Sequence, residues 1–176
     1  MKYTGLLNFF LGLEINQSGF WITISKAKYV RDLLAWFHMS DYKTTTTPFL
    51  SWIKLENGKE TQLVDYTLYC DIVGSLLYLT HSHPDLSYSV GEVYRYMQEP
   101  HELHWKATKH IIWYVHGTIT YGIHYATNYS LDLIGFTDSY WAPNNLDCKS
   151  TSGYLLSLGS DTICWLNKKQ VPLLYH

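Results

Sequence analysis

Residues 104–125 read HWKATKHIIWYVHGTITYGIHY, and the spacing of the apolar side chains changes halfway along this stretch. The first part predicts a helix, because its apolar residues recur at helical intervals and Gly117 is a typical residue at a helix end. The buried stripe of that helix consists of Leu103, Ala107, Ile111 and Tyr114. Short runs rich in β-forming residues follow Gly117. A set of helices followed by a set of strands is typical of an α+β fold.

The part of the chain after Gly117 predicts short antiparallel strands, separated by turn residues such as those at 159–161. The predicted strands are Tyr121–Ala126, Leu131–Asp138, Gly153–Leu158 and Thr162–Leu166. We expect a three- or four-stranded meander and a boundary near residues 117–120.

The part before residue 104 predicts a strand pair and more helices. The strands are expected at 6–15 and 19–25, around a turn at 16–19, and residues 44–58 are expected to be extended. Apolar spacings predict one helix after the N-cap Ser25, a second over residues 66–80, and a third that begins at Pro84 and has its last apolar position at Met97. The predicted fold class is therefore α+β, with an N-terminal strand pair and about four helices before the meander.

The charge balance is unlike that of a strong nucleic-acid binder. The formal net charge is -2, from 13 Lys and Arg residues against 15 Asp and Glu residues. Arg31 and Arg95 are the only arginines, although arginine is the residue best suited to bidentate phosphate contacts. This composition argues against tight binding of a phosphate backbone.

The cysteines and histidines do not form a recognisable metal-binding motif. Cys70, Cys148 and Cys164 are widely spaced, which indicates free thiols in a reducing compartment. His101 and His104 lie three residues apart without further ligands at suitable spacing, so we interpret them as helix-packing residues. The N-terminus carries no cleavage site typical of a signal peptide, and no stretch is apolar enough to span a membrane. An intracellular location is expected.

Eight blocks in collinear order carry a resemblance to a known family. They are LNFFLGLEI, SKAKYVRDLL, TTTTP, IVGSLLYLTHSHPDLSYSV, HWKATKHIIWYVHGTITYGIHY, GFTDSYWA, KSTSGY and ICWLNKKQ. Together they resemble the Pol polyprotein of copia-type LTR retrotransposons, from the C-terminal part of the reverse transcriptase into the ribonuclease H domain. The resemblance covers nearly the whole chain.

The resemblance implies three segments. Residues 1–117 would be the end of the reverse-transcriptase palm with thumb- or connection-like helices, and residues 118–170 the N-terminal half of an incomplete ribonuclease H-like antiparallel β-meander. Residues 171–176 are expected to be a frameshifted tail, because the codons of Val-Pro-Leu-Leu-Tyr, read one nucleotide later, can encode the Ser-Leu-Ser-Ser-Thr usual in the family. A genomic sequence without that out-of-frame message would contradict the frameshift.

The resemblance also bears on chemistry. The chain contains no Tyr-x-Asp-Asp element, so polymerase activity is not expected. In the intact family a ribonuclease H site cleaves the RNA strand of an RNA·DNA hybrid with two Mg²⁺ ions about 4 Å apart. Several converging carboxylates, normally four, hold these ions in the family. By similarity Asp138 is the first of them, and the Glu-bearing helix of the family does not occur in this sequence. We therefore expect Asp138 to be a remnant ligand, with no bound cofactor now.

The resemblance also indicates a loss of positive charge. Cys70, His83, His110, Trp113 and Cys148 stand where the family usually carries arginine, and His116 where lysine is common. Single C-to-T changes at arginine codons, typical of a silenced element, produce such replacements, although ordinary drift is an alternative. Binding to a hybrid is expected to be weak or absent, because that binding is mostly electrostatic. The remaining candidate contacts to nucleic acid are Lys106, Lys109 and Lys149.

Three functional hypotheses follow. The first is a degenerate, catalytically inactive fragment of a copia-type reverse transcriptase and ribonuclease H. The second is a residual module that binds or cleaves RNA·DNA hybrids. The third is an interaction protein that a host has co-opted from element sequence.

Overall fold

The architecture is that of a mixed helical and β-sheet protein. A computed structural model describes residues 5–50, 52–128, 130–140 and 151–169. In these ranges the α-helices are α1 (Ala27–Trp36), α2 (Tyr66–Leu79), α3 (Ser87–Tyr94) and α4 (Glu102–Gly117). Short 3-10 segments occupy Leu55–Glu60 and Pro84–Leu86. The strands are β1 (Phe9–Phe10), β2 (Leu13–Gln17), β3 (Trp21–Ser25), β4 (Gly122–Ala126), β5 (Leu133–Tyr140), β6 (Thr151–Leu158) and β7 (Asp161–Lys169). The α+β class predicted from the sequence is confirmed.

The strands form two sheets. One has the order β1-β2-β3-β4, and the other has the order β5-β6-β7 with antiparallel neighbours. The meander therefore contains three strands. The strand predicted at Tyr121–Ala126 is β4, which joins the N-terminal sheet instead. Local sequence patterns indicate a strand but not its distant partner, so this assignment was not readable from the sequence.

The N-terminal strand pair differs from its prediction. The apolar run at 6–15 is broken by a turn, in which Leu11 and Gly12 adopt positive φ angles of 47° and 78°. A left-handed backbone conformation interrupts an extended strand, and glycine adopts it at little cost. Two short antiparallel strands, β1 and β2, therefore replace the single predicted strand.

The described residues fall into two compact units, one within 1–17 and 23–123, the other within 18–22 and 124–176. The division between the two units falls inside β4, between residues 123 and 124. The assignment of residues 1–117 and 118–170 to two ancestral domains stays a prediction. The first unit holds all the described helices and a continuous apolar core. Its fully buried side chains include Val30 of α1, Ile72 and Leu76 of α2, Val90 of α3 and Ile111 of α4.

The helix boundaries follow from local chemistry. Asp65 caps α2, because its carboxylate accepts a hydrogen bond of 2.9 Å from the backbone N–H of Leu68. The predicted N-cap Ser25 of α1 is wrong by one residue, since Lys26 occupies the cap position without a capping hydrogen bond. Among the described residues, none of the helices combines the length and the apolar character needed to cross a bilayer.

The second unit contains the three-stranded sheet. A two-residue turn with Gly159 at a φ of 64° joins β6 to β7, as expected for a tight hairpin. Backbone groups of the preceding segment hold this turn, because the N–H of His124 donates to the Asp161 carboxylate at 2.8 Å and the N–H of Ala126 to the Ser160 hydroxyl at 2.8 Å. Large apolar side chains remain exposed on this sheet, including Leu133, Phe136 and Leu166.

Candidate metal ligand and nucleic-acid contacts

Asp138 lies within β5, two residues before the end of the strand, and its side chain is exposed. It is opposite Gly153 of β6, which in turn is opposite Asn167 of β7. Side chains of directly opposed residues point to the same face of a sheet. Because glycine has no side chain, the next side chain in this row belongs to Asn167, about 10 Å away across two strand spacings.

Asp132 and Asp161, the other described carboxylates of this unit, lie far from Asp138. Asp132 precedes it by six residues, which corresponds to about 20 Å along an extended strand. Asp161 of β7 is aligned across β6 with Leu133 of β5, because both are opposite Leu158. Leu133 is five residues, or about 17 Å along the strand, from Asp138. Asp161 is also engaged, because its two oxygens accept hydrogen bonds from the N–H groups of His124 and Thr162. Asp138 is therefore the sole described carboxylate at its end of the sheet.

A metal centre is not assembled in the parts of the chain that the structure describes. No group of three or more histidine, cysteine, aspartate or glutamate side chains there could hold an ion. Asp147 falls within residues 141–150, outside the described ranges. A single carboxylate with glycine as its neighbour provides one oxygen ligand group, whereas a Mg²⁺ ion in a protein usually takes one or two carboxylates together with water and substrate oxygens.

The candidate nucleic-acid lysines of α4 are already engaged. The Lys106 ammonium lies 2.9 Å from the Glu102 carboxylate one turn earlier on the exposed surface. The Lys109 ammonium lies 5.0 Å from the centroid of the Trp105 ring, within the range of a cation–π contact. Lys149 lies outside the described residues. A carboxylate thus offsets the charge of Lys106, whereas Lys109 keeps its charge beside an aromatic ring.

Three side chains of α4, expected from the resemblance to replace basic residues, hold a neighbouring segment on this helix. The ring N–H of His110 donates to the carbonyl of Thr47 at 2.9 Å, and that of His116 donates to the carbonyl of Tyr42 at 3.1 Å. Trp113 lies between them in the helix and stacks on the Tyr42 ring at a centroid distance of 6.2 Å. These side chains contact protein groups, and none of them carries the permanent charge of an arginine.

His101 and His104 take part in packing at the start of α4, in agreement with the interpretation of the HELH segment. The Nδ1 atom of His104 accepts from the backbone N–H of His101 at 3.0 Å, and its Nε2–H donates to the carbonyl of Leu55 at 2.9 Å. Burial lowers the pKa of His104 below the ordinary value of a histidine. The neutral ring is therefore the form that fits this site.

Comparisons with known proteins place the chain among transposon proteins. It is 39% identical over 164 residues to the retrovirus-related Pol polyprotein from transposon RE2 of Arabidopsis thaliana, which covers 93% of this chain and 11% of that protein. It is 30% identical over 179 residues to the Pol polyprotein from transposon TNT 1-94 of Nicotiana tabacum, covering 97% of this chain and 13% of that protein. An uncharacterized mitochondrial protein of Arabidopsis thaliana is 34% identical over 171 residues, covering 97% of this chain and 70% of that protein.

The chain thus spans little more than a tenth of the Pol polyproteins that it matches, but a large share of the shorter mitochondrial protein. No protein-family model and no solved structure matches it. The similarity to the Pol polyproteins extends over almost all of its length and agrees with the collinear motifs of the sequence. The chain belongs to the family of retrovirus-related Pol polyproteins of transposons.

Proposed function

We propose that this polypeptide is a fragment of a copia-type reverse transcriptase and ribonuclease H, and that by itself it does not hydrolyse RNA·DNA hybrids. The observation that carries the proposal is the isolation of Asp138 among the described carboxylates of its unit. The ancestral reaction would use the carboxylates to hold Mg²⁺ ions, one of which activates the attacking water and the other the leaving oxygen.

The electrostatic cost of the metal pair shows why one carboxylate is insufficient. Two divalent cations about 4 Å apart repel each other by about 4 kcal/mol even at the dielectric constant of bulk water, and by several times more in a partly buried site. One carboxylate supplies at most one negative charge against the four positive charges of the two ions. Hybrid phosphates would add negative charge, but the described part of the unit would still have to fix both ions with a single carboxylate side chain.

The surroundings of α4 support weak binding of the hybrid. A phosphate contact gains affinity from the release of counterions by a lysine or arginine that is free to approach the backbone. Lys106 is paired with Glu102, and Lys109 lies over Trp105. The chain is acidic overall, with a formal net charge of -2. We infer that hybrid binding at physiological salt is no tighter than the roughly 10⁻⁴ to 10⁻⁶ M typical of non-specific contacts.

The direct test is a cleavage assay on a labelled RNA·DNA hybrid with Mg²⁺ or Mn²⁺. We expect the purified chain and its Asp138→Asn variant to leave the RNA strand equally intact. Asp132→Asn is the matched control, because Asp132 lies in the same unit about 20 Å along the strand. Cleavage that Asp138→Asn abolishes and Asp132→Asn preserves would refute the proposed inactivity.

A binding measurement separates inactivity from failure to engage the substrate. Fluorescence anisotropy with the same hybrid, measured from low to physiological salt, should show weak binding with a shallow dependence on salt concentration. A steep salt dependence with submicromolar affinity would favour the alternative of a residual hybrid-binding module. In that case Lys106→Gln and Lys109→Gln would each be expected to reduce both the affinity and the salt slope.

A further inference from the structure

We propose that two copies of this chain associate through the outer edges of β5, antiparallel to each other about a two-fold axis at Phe136. In the described part of the chain β5 is the terminal strand of its sheet, next to β6 on one side. An edge strand presents unpaired N–H and C=O groups, which another strand can pair with.

The hydrogen-bonding phase of β5 fixes which residues face outward. The N–H of Gly159 donates to the carbonyl of Asp132 at 3.1 Å, and the strand register places these two residues directly opposite each other. They are therefore a hydrogen-bonded pair, and such pairs alternate along an antiparallel ladder. No register shift interrupts the pairing of β5 with β6. It follows that the even-numbered residues of β5 bond to β6, and that the outward groups belong to Leu133, Gly135, Thr137 and Ser139.

Within Leu133–Tyr140 the strand lacks the sequence features that usually protect an edge. Proline, lysine and bulges keep edges of natural sheets from pairing with each other. Between Leu133 and Tyr140 there is no proline, no lysine and no bulge towards β6, and Asp138 is the single charged residue. Leu133 and Phe136 are 65% and 60% exposed. This segment is thus open to pairing and has apolar surface to bury.

Symmetry selects one register for a second copy. A two-fold axis perpendicular to the sheet keeps the same face upward in both copies, so only residues of equal parity can be opposed. With the axis at Phe136, Leu133 pairs with Ser139 of the second copy, and Gly135 pairs with Thr137. All four outward residues of each copy are then bonded. With the axis moved to Gly135 or Thr137, one outward residue of β5 would have no partner inside the strand.

The same register is favourable for the side chains. Phe136 meets Phe136 of the second copy at a non-hydrogen-bonded pair, where opposed side chains are closest. Ile134, which is 46% exposed, faces Asp138 of the second copy. The two Asp138 carboxylates are separated by four residues along the strands, about 13 Å, which exceeds the Debye length of about 8 Å at physiological salt. The pairing therefore brings apolar rings together and keeps like charges apart, which favours a second copy as the occupant.

The test is the oligomeric state of the full chain. Sedimentation over a concentration series should show a mass that doubles from the 20.6 kDa of one chain. Thr137→Pro removes an outward N–H without touching the ladder to β6, and we expect it to raise the dissociation constant of the dimer at least tenfold. Thr137→Val keeps the N–H and should have little effect. A mass of one chain at all concentrations, equal association of the two variants, or open-ended growth beyond a dimer would each overturn the proposal.

Disulfide trapping tests the register even if the proline variant does not fold. In a background with Cys70, Cys148 and Cys164 changed to serine, Phe136→Cys should form a covalent dimer on oxidation, because residue 136 opposes itself at a Cβ separation of about 4.5 to 5.5 Å. Thr137→Cys opposes Gly135 and should remain uncrosslinked. Crosslinking of residue 137 in preference to 136 would refute this register, as would crosslinking of neither residue, which would indicate another occupant or another surface.

Discussion

Lys26 is a buried cation at the start of α1, and its replacement by methionine should stabilise the helical unit near neutral pH. The residue is 1% exposed, and its ammonium donates to the carbonyl of Tyr78 and lies 3.3 Å from the centroid of the Tyr78 ring. Within the described residues it has no carboxylate partner. Burial lowers the pKa of Lys26 from 10.5 to about 8.

The size of the effect follows from that shift. A pKa difference of this size corresponds to about 3 kcal/mol, and screening by water near the ammonium reduces it, so we expect Lys26→Met to raise the free energy of unfolding by about 1 to 2 kcal/mol at pH 7. Methionine has a similar length and packs well on an aromatic ring. The carbonyl of Tyr78 keeps a second donor, the His81 ring N–H at 3.1 Å.

The pH dependence has a defined sign. The folded pKa is lower than the unfolded pKa, so between about pH 8 and 10.5 the unfolded chain holds a proton that the folded chain has released. The free energy of unfolding of the unmodified chain should therefore rise from pH 8 to about 9.5, below the ordinary titration of tyrosine. That rise should be much smaller in Lys26→Met.

Urea titrations followed by circular dichroism at 222 nm measure this effect, because all described helices belong to the same unit. Lys28→Met is the matched control, since Lys28 is exposed on the same helix. We expect the control to leave both the stability at pH 7 and the pH slope unchanged. A Lys26→Met variant that is less stable at pH 7 and keeps the full slope would show that the ammonium is a net stabilising group, contrary to this reasoning.

Two further predictions concern the same unit. Stability should fall as the pH drops below about 6.5, because burial lowers the folded pKa of His104 and a second ring proton would remove the acceptor of the His101 N–H. Urea titrations between pH 7 and 5 should show this fall. His104→Gln should reduce it, and the remainder is expected from His83, whose pKa burial also lowers. Gly12→Ala should lower the midpoint temperature of thermal unfolding, because Gly12 has a φ of 78° and an added Cβ would collide with the Tyr78 hydroxyl. Gly19→Ala is the control and should be neutral, because a Cβ there meets no atom within 4 Å. Equal midpoints for the two variants would contradict the proposed strain.

The sequence predicted the helices well because their apolar side chains recur with a clear period. The predicted helix at 66–80 is observed at Tyr66–Leu79, and the predicted stripe residues Ala107 and Ile111 are buried in α4. The helix predicted to start at Pro84 extends less far than Met97, because α3 ends at Tyr94. Boundaries depend on competing turns and tertiary contacts, which a periodic pattern does not record.

The positions of the candidate residues in the fold were predicted in part, whereas their roles stay predictions. Asp138 was placed on a strand, and it lies in β5, although inside the strand and not at its end. The pairing of Lys106 with Glu102 follows the i,i+4 rule and was readable from the sequence, whereas the contacts of His110 and His116 with the segment at 42–47 depend on tertiary packing. The sequence also does not show which backbone groups of β5 face away from β6, because that follows from the hydrogen bond between Gly159 and Asp132.

We propose above all that Asp138, the sole described carboxylate at its end of the sheet, does not organise a pair of divalent ions. Titration with Mn²⁺, followed by electron paramagnetic resonance, measures the number of ions that the chain binds and whether they are close to each other. We predict no saturable pair of ions at submillimolar Mn²⁺, and identical spectra for the unmodified chain and Asp138→Asn. Two spin-coupled ions per chain that disappear in Asp138→Asn would contradict the account.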